Sequence, residues 1–140
     1  NVMTATSIVF LHYIVLILLS LLALASYRTY LGMSGYNKNL KFAADGSDVP
    51  AFGFRLTRVH ANAVECFPFI GGLLLYAMAT GSTDITDGLA YVLLGARLAQ
   101  SLILLISTSP LAIQLRFATF LVQFAICAYW TWLFMQPLML

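Results

Sequence analysis

Four long apolar segments, separated by short polar ones, make up the hydropathy pattern of this chain. They cover residues of about 4–31, 50–80, 86–107 and 111–138. Each exceeds the roughly 20 residues that a helix needs to cross a bilayer. None shows the alternation of polar and apolar positions that is typical of a membrane barrel strand. The pattern therefore predicts an all-α fold, with four membrane-spanning helices in a single domain over residues 1–140.

The polar segments have the composition of loops and turns. Residues 32–50 are rich in Gly, Ser, Asn and Asp, which indicates a loop. Residues 80–87 form a shorter turn that offers three candidate helix N-caps, namely Ser82, Thr83 and Asp84. Pro110 suits the first turn of the fourth helix, where its missing N–H has no intrahelical partner to lose.

The composition places these helices in a membrane. The chain is 61% hydrophobic and only 9% charged, whereas about a quarter of the residues in a soluble domain are charged. The net charge of +2 gives no support to a nucleic-acid partner. Cys66 and Cys127 both lie in apolar segments, so we expect buried thiols rather than a disulfide or a metal site.

The basic residues are distributed unequally among the loops. Five lie in or beside the first loop: Arg28, Lys38, Lys41, Arg55 and Arg58. Arg116 flanks the third loop, whereas the second loop contains Asp84 and Asp87 and no basic residue. By the positive-inside rule, we expect the first and third loops in the cytoplasm and both termini on the opposite side.

The segment RLTRVHANAVECFPF (residues 55–69) carries most of the candidate chemistry. On a helix with about 100° per residue, four polar side chains fall on one stripe: Arg55, Arg58, Asn62 and Glu65. His60 lies on roughly the opposite side. A charge inside a membrane helix costs about 2.5 kcal/mol or more. Glu65 therefore needs a partner, and Arg97 and Arg116 are the available intramembrane cations.

The third and fourth segments also carry arginine-bearing stripes. Arg97 shares a helix face with Gln100 and Leu104. The stripe on the fourth segment comprises Arg116, Phe120, Gln123, Cys127 and Trp130. Together the three stripes predict a basic, partly apolar pocket that suits an anion. The alternative is that the Arg–Glu pairs and amides only hold the helices together.

Five residues of the second segment resemble the second-helix signature R-x-H-x-N-x-x-E-x-x-P of the MAPEG family, the membrane-associated proteins in eicosanoid and glutathione metabolism. They are Arg58, His60, Asn62, Glu65 and Pro68. GARLAQSLILL in the third segment and SPLAIQLRFATF before the fourth are also similar to this family. The resemblance, which is to bacterial members, implies a four-helix bundle that assembles as a homotrimer in the bacterial inner membrane. It implies glutathione bound between subunits, near the cytoplasmic side.

The resemblance also implies roles for single residues. Arg116 matches the arginine that stabilises the glutathione thiolate. The other residues implied in binding this cosubstrate are Arg58, Asn62, Glu65, Arg97, Gln100 and Phe120. Arginines suit the glutathione carboxylates, while Asn62 and Glu65 suit its amine and peptide groups. The chain departs from the family pattern at four positions: Ala61, Gln100, Leu104 and Phe120.

Two functions follow as expectations from the resemblance. The first is a detoxifying glutathione transferase or peroxidase that acts on lipophilic electrophiles or hydroperoxides arriving from the bilayer. The second is a non-catalytic trimer with the same fold that binds lipid or serves as a scaffold.

Overall fold

A computed structural model describes residues 4–36, 39 and 41–139. Its elements in chain order are the helices α1 (Ala5–Met33), α2 (Ala51–Ala79), α3 (Thr83–Ile106) and α4 (Pro110–Met135), and a 3₁₀ turn (Gln136–Met139). No strand occurs in the described ranges. All four helices are long and apolar enough to cross a membrane, so the predicted all-α fold with four spans is confirmed. Lys38, one of the charges used to predict orientation, lies outside the described residues.

Short polar caps fix where two of the helices begin. At the start of α1, Thr4 Oγ1 accepts from Ser7 N (3.1 Å) and Ser7 Oγ accepts from Thr4 N (3.1 Å). At the start of α4, Ser109 Oγ accepts from Ala112 N (3.2 Å), and Pro110 occupies the first turn as predicted. These caps satisfy backbone N–H groups that have no partner inside the helix.

The helices pack so that one groove stays open. α3 contacts the other three helices, and α1 packs on α2 and α3. α4 packs mainly on α3 and only lightly on α2, and within the described residues the backbones of α1 and α4 do not approach each other closely. The weak α2–α4 contact leaves a groove along one side of the bundle, and this groove contains the candidate site.

The half of the bundle that contains the start of α1 and the end of α4 has an apolar core. Its buried members are Val9, Tyr13, Cys66, Ile70, Leu74, Ala90, Leu93, Ile126, Cys127 and Trp130. Both cysteines are buried free thiols, as predicted. The hydroxyl of Tyr13 donates to the carbonyl of Ala63 (2.7 Å) and joins α1 to α2. Large apolar side chains therefore hold this half together.

A polar contact joins α1 to α3 at the end of this half, where both helices begin. Asp87 Oδ1, in the first part of α3, accepts from Thr6 N (2.9 Å) and Thr6 Oγ1 (2.6 Å) at the start of α1. The Thr6 hydroxyl is also hydrogen-bonded to the Thr86 hydroxyl. The carboxylate thus caps α1 from a neighbouring helix, where the N-terminal partial charge of α1 favours an anion.

The first loop folds back onto the start of α2. Gly46 has φ +76°, and a Cβ atom there would come within 2.9 Å of Thr57 Cβ. This backbone conformation and close approach favour glycine. At the end of α1, the guanidinium carbon of Arg28 lies 5.5 Å from the centre of the Phe42 ring, which anchors the loop to the helix.

Candidate functional site

Two adjoining cavities occupy the α2–α4 groove in the half of the bundle next to the first loop. The outer cavity, of about 280 Å³, is lined by Phe54, Arg55, Arg58, Leu104, Thr108, Ile113 and Arg116. The inner cavity, of about 260 Å³, is lined by Asn62, Gln100, Ile113, Arg116, Phe117 and Phe120. Ile113 and Arg116 line both cavities, so Arg116 stands at their junction.

The outer cavity is strongly basic. Arg55, Arg58 and Arg116 line it, and none of the described residues that line it carries a carboxylate. Arg55 Nε donates to the carbonyl of Leu105 (2.8 Å) near the end of α3, where a cation is favoured by the helix dipole. Arg58 is exposed and Arg116 is half-buried, and neither side chain makes a hydrogen bond or ion pair with the described residues. Two guanidinium groups are therefore free to receive an anion.

The inner cavity combines amides with an aromatic wall. Asn62 on α2 and Gln100 on α3 supply the amides. The wall belongs to α4, where the ring centres of Phe117 and Phe120 lie 6.4 Å apart and those of Phe120 and Phe124 lie 6.2 Å apart. A ligand in this cavity meets polar groups from α2 and α3 and an apolar surface from α4.

Behind the inner cavity, four side chains form a closed ring of hydrogen bonds, hereafter the amide ring: Asn62, Arg97, Gln100 and Gln123. Arg97 donates Nε to Gln123 Oε1 (2.8 Å) and Nη1 to Asn62 Oδ1 (2.6 Å). Gln123 Nε2 donates to Gln100 Oε1 (2.7 Å). Gln100 Nε2 donates to Asn62 Oδ1 (3.1 Å). The ring links α2, α3 and α4 in the middle of the bundle.

The charge at the centre of the amide ring has no carboxylate partner among the described residues. Arg97 is 1% exposed, and its Nη2 atom is enclosed without a hydrogen-bond partner in the described structure. The guanidinium carbon of Arg97 lies 5.8 Å from the centre of the Tyr13 ring. Amide oxygens and an aromatic face therefore compensate this charge, and its positive potential extends toward the cavity that Asn62 and Gln100 line.

The structure brings together most of the residues expected to form the site. Asn62, Gln100, Arg116 and Phe120 line the inner cavity, and Arg58 lines the outer one. Arg97 does not line either cavity and lies behind Asn62 in the amide ring. Glu65 is exposed on α2, lines neither cavity and makes no ion pair with a described residue.

His60, the histidine of the second-helix motif, faces away from the cavities. A hydrogen bond joins His60 Nδ1 and Ser20 Oγ (2.8 Å). This agrees with the helical spacing, which predicted His60 on the side of α2 opposite the polar stripe. The contact joins α2 to α1, which is a structural role.

Sequence reasoning left two contributors out of the candidate set. Gln123 lies on the predicted stripe of α4, and it is 1% exposed in the amide ring. The feature of the sequence that could have identified Gln123 is an amide on the inner face of an otherwise apolar helix. Tyr13 lies against Arg97, but nothing in the almost uniformly apolar α1 distinguishes this tyrosine from a core aromatic.

Comparison with known proteins produced a match at the level of a family. A family model described as the MAPEG family matches residues 3–135 of this 140-residue chain. The matched region runs through all four helices and includes every residue that lines the two cavities. Comparisons with curated proteins and with solved structures found no match.

Proposed function

The chain belongs to the MAPEG family, which includes glutathione transferases and peroxidases, and from this premise we propose that it is a membrane-embedded glutathione-dependent enzyme. In this proposal glutathione is the cosubstrate. The second substrate is a lipophilic electrophile or hydroperoxide that enters the α2–α4 groove from the bilayer. The role of the enzyme is detoxification.

The observation that carries this proposal is the position of Arg116. Its guanidinium stands at the junction of the two cavities without a protein partner among the described residues. A cation beside a thiol lowers the thiol pKa from about 8.5 and favours the thiolate, which is the reactive nucleophile. The thiolate can attack an electrophilic carbon and displace its leaving group. It can also attack a hydroperoxide oxygen, which breaks the O–O bond, releases an alcohol and leaves glutathione sulfenic acid; the thiol of a second glutathione then reacts with the sulfenic acid to give glutathione disulfide and water.

The rest of the site suits the remainder of glutathione. Two carboxylates need cationic partners, and Arg55 and Arg58 line the outer cavity beside Arg116. Arginine binds carboxylates strongly because its donors form a planar fork. We place the carboxylates in the outer cavity and the sulfur near the inner one, next to the aromatic wall of α4.

We also propose a homotrimer and an orientation. Arg58 and Glu65 are exposed on α2 in a single chain, and lipid is an unfavourable environment for charges. Contact with neighbouring subunits would cover them and bring Glu65 toward a bound ligand. From the distribution of basic residues, we place the first and third loops and the site on the cytoplasmic side of a bacterial inner membrane.

A second candidate function is a non-catalytic trimer that binds lipid or serves as a scaffold. Phe120 has no hydroxyl to support a thiolate. A separate groove of about 550 Å³ has an uncharged lining, composed of Phe69, Leu73, Phe124, Cys127, Ala128, Thr131 and Trp132. Such a groove suits an acyl chain whether or not the protein is an enzyme.

The substitution Arg116→Ala tests the enzymatic proposal. We expect a higher pKa for the bound glutathione thiol and a fall in turnover of about 10²–10³-fold, the usual effect of losing one preorganised donor. Glutathione binding should weaken far less, because several other contacts hold it. The measurements are thiolate absorbance against pH and conjugation of an aromatic electrophile in nanodiscs.

Gln114→Ala is the matched control, since Gln114 is exposed on α4 and lines neither cavity. Unchanged turnover in Arg116→Ala would remove Arg116 from the mechanism. A wild-type protein that neither binds glutathione nor turns over would leave the lipid-binding or scaffold function.

A further inference from the structure

We infer that Arg97 is a positioning residue that orients the Asn62 side chain with its amide nitrogen toward the inner cavity. The inner cavity then offers hydrogen-bond donors and selects a ligand group that accepts them. We assign this group as the thiolate, with Asn62 as a second donor beside Arg116. The inference rests on the proposed function for the identity of the ligand, but the orientation of Asn62 does not depend on it.

Arg97 is the one member of the amide ring whose hydrogen-bonding polarity cannot change. An arginine side chain donates hydrogen bonds and accepts none. Arg97 Nε points at Gln123 at 2.8 Å, so Gln123 must present its oxygen there. This turns Gln123 Nε2 toward Gln100, where it donates to Oε1 at 2.7 Å, and it also donates to the carbonyl of Thr119 at 3.0 Å.

The order of donors and acceptors that Arg97 sets at Gln123 also determines the orientation of Asn62. With its oxygen occupied by Gln123, Gln100 has only its Nε2 to offer, and this donates to Asn62 Oδ1 at 3.1 Å. Arg97 closes the ring by donating Nη1 to the same oxygen at 2.6 Å. If the oxygen and nitrogen of any one of the three amides exchanged places by a 180° rotation, two donors or two acceptors would face each other. The fixed donors of Arg97 therefore set the orientation of all three.

Asn62 is left with its amide nitrogen free. Asn62 Nδ2 makes no hydrogen bond within the described structure, and it is not among the buried atoms enclosed without a partner. The nitrogen is therefore accessible, and Asn62 lines the inner cavity. The carboxamide oxygen of Gln100 is occupied by Gln123. Besides Asn62 and Gln100, the lining comprises the Arg116 guanidinium and three apolar side chains.

A cavity of this kind favours an anion and disfavours an ammonium group. The Arg97 charge behind the ring adds to the effect, because no described carboxylate is paired with it. The glutathione amine therefore fits poorly at Asn62, which narrows the role expected from the family resemblance. The carboxylates have Arg55 and Arg58 in the outer cavity. Of the acceptors that remain, the two peptide carbonyls are neutral and the thiolate is charged, so we assign the thiolate to this positively charged cavity and to Asn62.

Asn62→Asp separates the two uses of this side chain. Aspartate keeps the ring oxygen and replaces the free nitrogen with an acceptor. We expect a protein at least as resistant to thermal unfolding as the wild type, because the ring uses only the oxygen and the new carboxylate compensates Arg97. We expect the bound thiol pKa to rise and the thiolate fraction at neutral pH to fall by about tenfold or more.

Gln114→Glu makes the same amide-to-carboxylate change at an exposed position of α4 and serves as the control for added charge. Asn62→Leu, which removes both ends of the amide, gives the unfolding cost of losing the ring. Thermal unfolding in detergent needs no ligand. Thiolate absorbance is measured with glutathione across pH.

The positioning role of Arg97 is tested by Arg97→Met and Arg97→Lys. Methionine lacks the N–H donors of arginine, so the amides of Asn62, Gln100 and Gln123 are free to rotate into the opposite orientation. We expect the bound thiol pKa to rise although Asn62 and Arg116 are intact. Lysine donates and does not accept, so it should restore part of the original pH profile. A role limited to holding the helices together would change unfolding without moving the pH profile of the protein that remains folded.

Several results would overturn the inference. Unfolding of Asn62→Asp at as low a temperature as Asn62→Leu would mean that the ring uses the nitrogen of Asn62. An unchanged thiol pKa in Asn62→Asp would remove Asn62 as a donor to the thiolate. A wild type that binds no glutathione refutes the proposed function and the thiolate assignment, and the unfolding comparison alone then supports or overturns the orientation of Asn62.

Discussion

Arg116 and Phe120 lie one turn apart on α4 and both line the inner cavity, but only Arg116 can hydrogen-bond a ligand. Phe120 is half-buried and packs between the rings of Phe117 and Phe124. Phe120 is also one of the positions at which the chain departs from the family resemblance described above. A hydroxyl on this ring would add a hydrogen-bond donor to the wall that α4 gives to the cavity.

We expect Phe120→Tyr to raise glutathione conjugation several-fold, because a further donor beside Arg116 stabilises the thiolate. Phe117→Tyr is the matched control, since Phe117 lines the same cavity but is 58% exposed. Initial rates and thiol pKa are measured for both variants. A well-folded Phe120→Tyr protein with unchanged or lower activity would show that the ring does not point at the sulfur.

The two interior arginines show how far the sequence alone could go at this scale. Helical spacing predicted the inward face for both Arg97 and Arg116. Spacing fixes the angle of a side chain around its own helix, but it does not say which neighbour meets that side chain first. Arg97 meets Asn62 and Gln123 and is enclosed, while Arg116 meets open space. The different roles of the two residues depend on packing between helices.

At the scale of helices, the contact between Asp87 and Thr6 ties α1 to α3 at the outer end of the bundle. Thr6 is the second residue of α1, so its backbone N–H has no partner inside the helix. Asp87 accepts from both the backbone and the hydroxyl of Thr6. In the described structure the backbone of α1 lies close to α2 and α3 but not to α4, so the attachment of α1 depends mainly on α2 and α3.

We expect Asp87→Ala to lower the free energy of unfolding by about 1.5–3 kcal/mol, the usual size of a hydrogen bond to a charged group. Asp84→Ala is the control, because Asp84 is exposed in the first turn of the same helix. Thermal unfolding in detergent provides the comparison. Equal effects of the two substitutions would mean that the contact adds nothing beyond the charge at the start of α3.

The helices themselves were largely predictable. Runs of apolar residues gave four spans, and the ends moved little: α3 begins at Thr83 rather than at 86, and α4 ends at Met135 rather than at 138. The start of α4 was predictable because Ser109 and Pro110 determine it locally. The contact between Thr6 and Asp87 was not predictable, since it joins residues 81 positions apart.

At the scale of the whole molecule, α2 carries charges that a single chain leaves on its surface. Glu65 is exposed and unpaired within the described residues, about two turns along α2 from the exposed Arg58. Both lie in a segment long and apolar enough to cross a membrane. The proposed trimer would remove these charges from lipid.

In the proposed trimer we expect Glu65 to be buried beside an arginine. Glu65→Ala should then weaken the assembly, because truncating one member of a buried ion pair costs about 3–5 kcal/mol. Val64→Ala, at the neighbouring exposed position of α2, is the control. Mass measurement in mild detergent reports the number of subunits. A wild-type monomer, or a Glu65→Ala trimer that survives dilution like the wild type, would contradict the predicted role of Glu65.

The amide ring also constrains how this protein can evolve. Suppose that Gln123 is inherited as glutamate. The carboxylate at this position still accepts from Arg97, but its second oxygen faces the oxygen of Gln100. The Gln100 amide must therefore rotate by 180° so that its nitrogen donates to the carboxylate. Asn62 must then rotate as well, because the oxygen of Gln100 now faces it. After this rotation the amide nitrogen of Asn62 faces Arg97 and its oxygen faces the ligand. A single substitution on α4 would thus change which atom α2 offers to a substrate, although the substituted residue lines neither cavity.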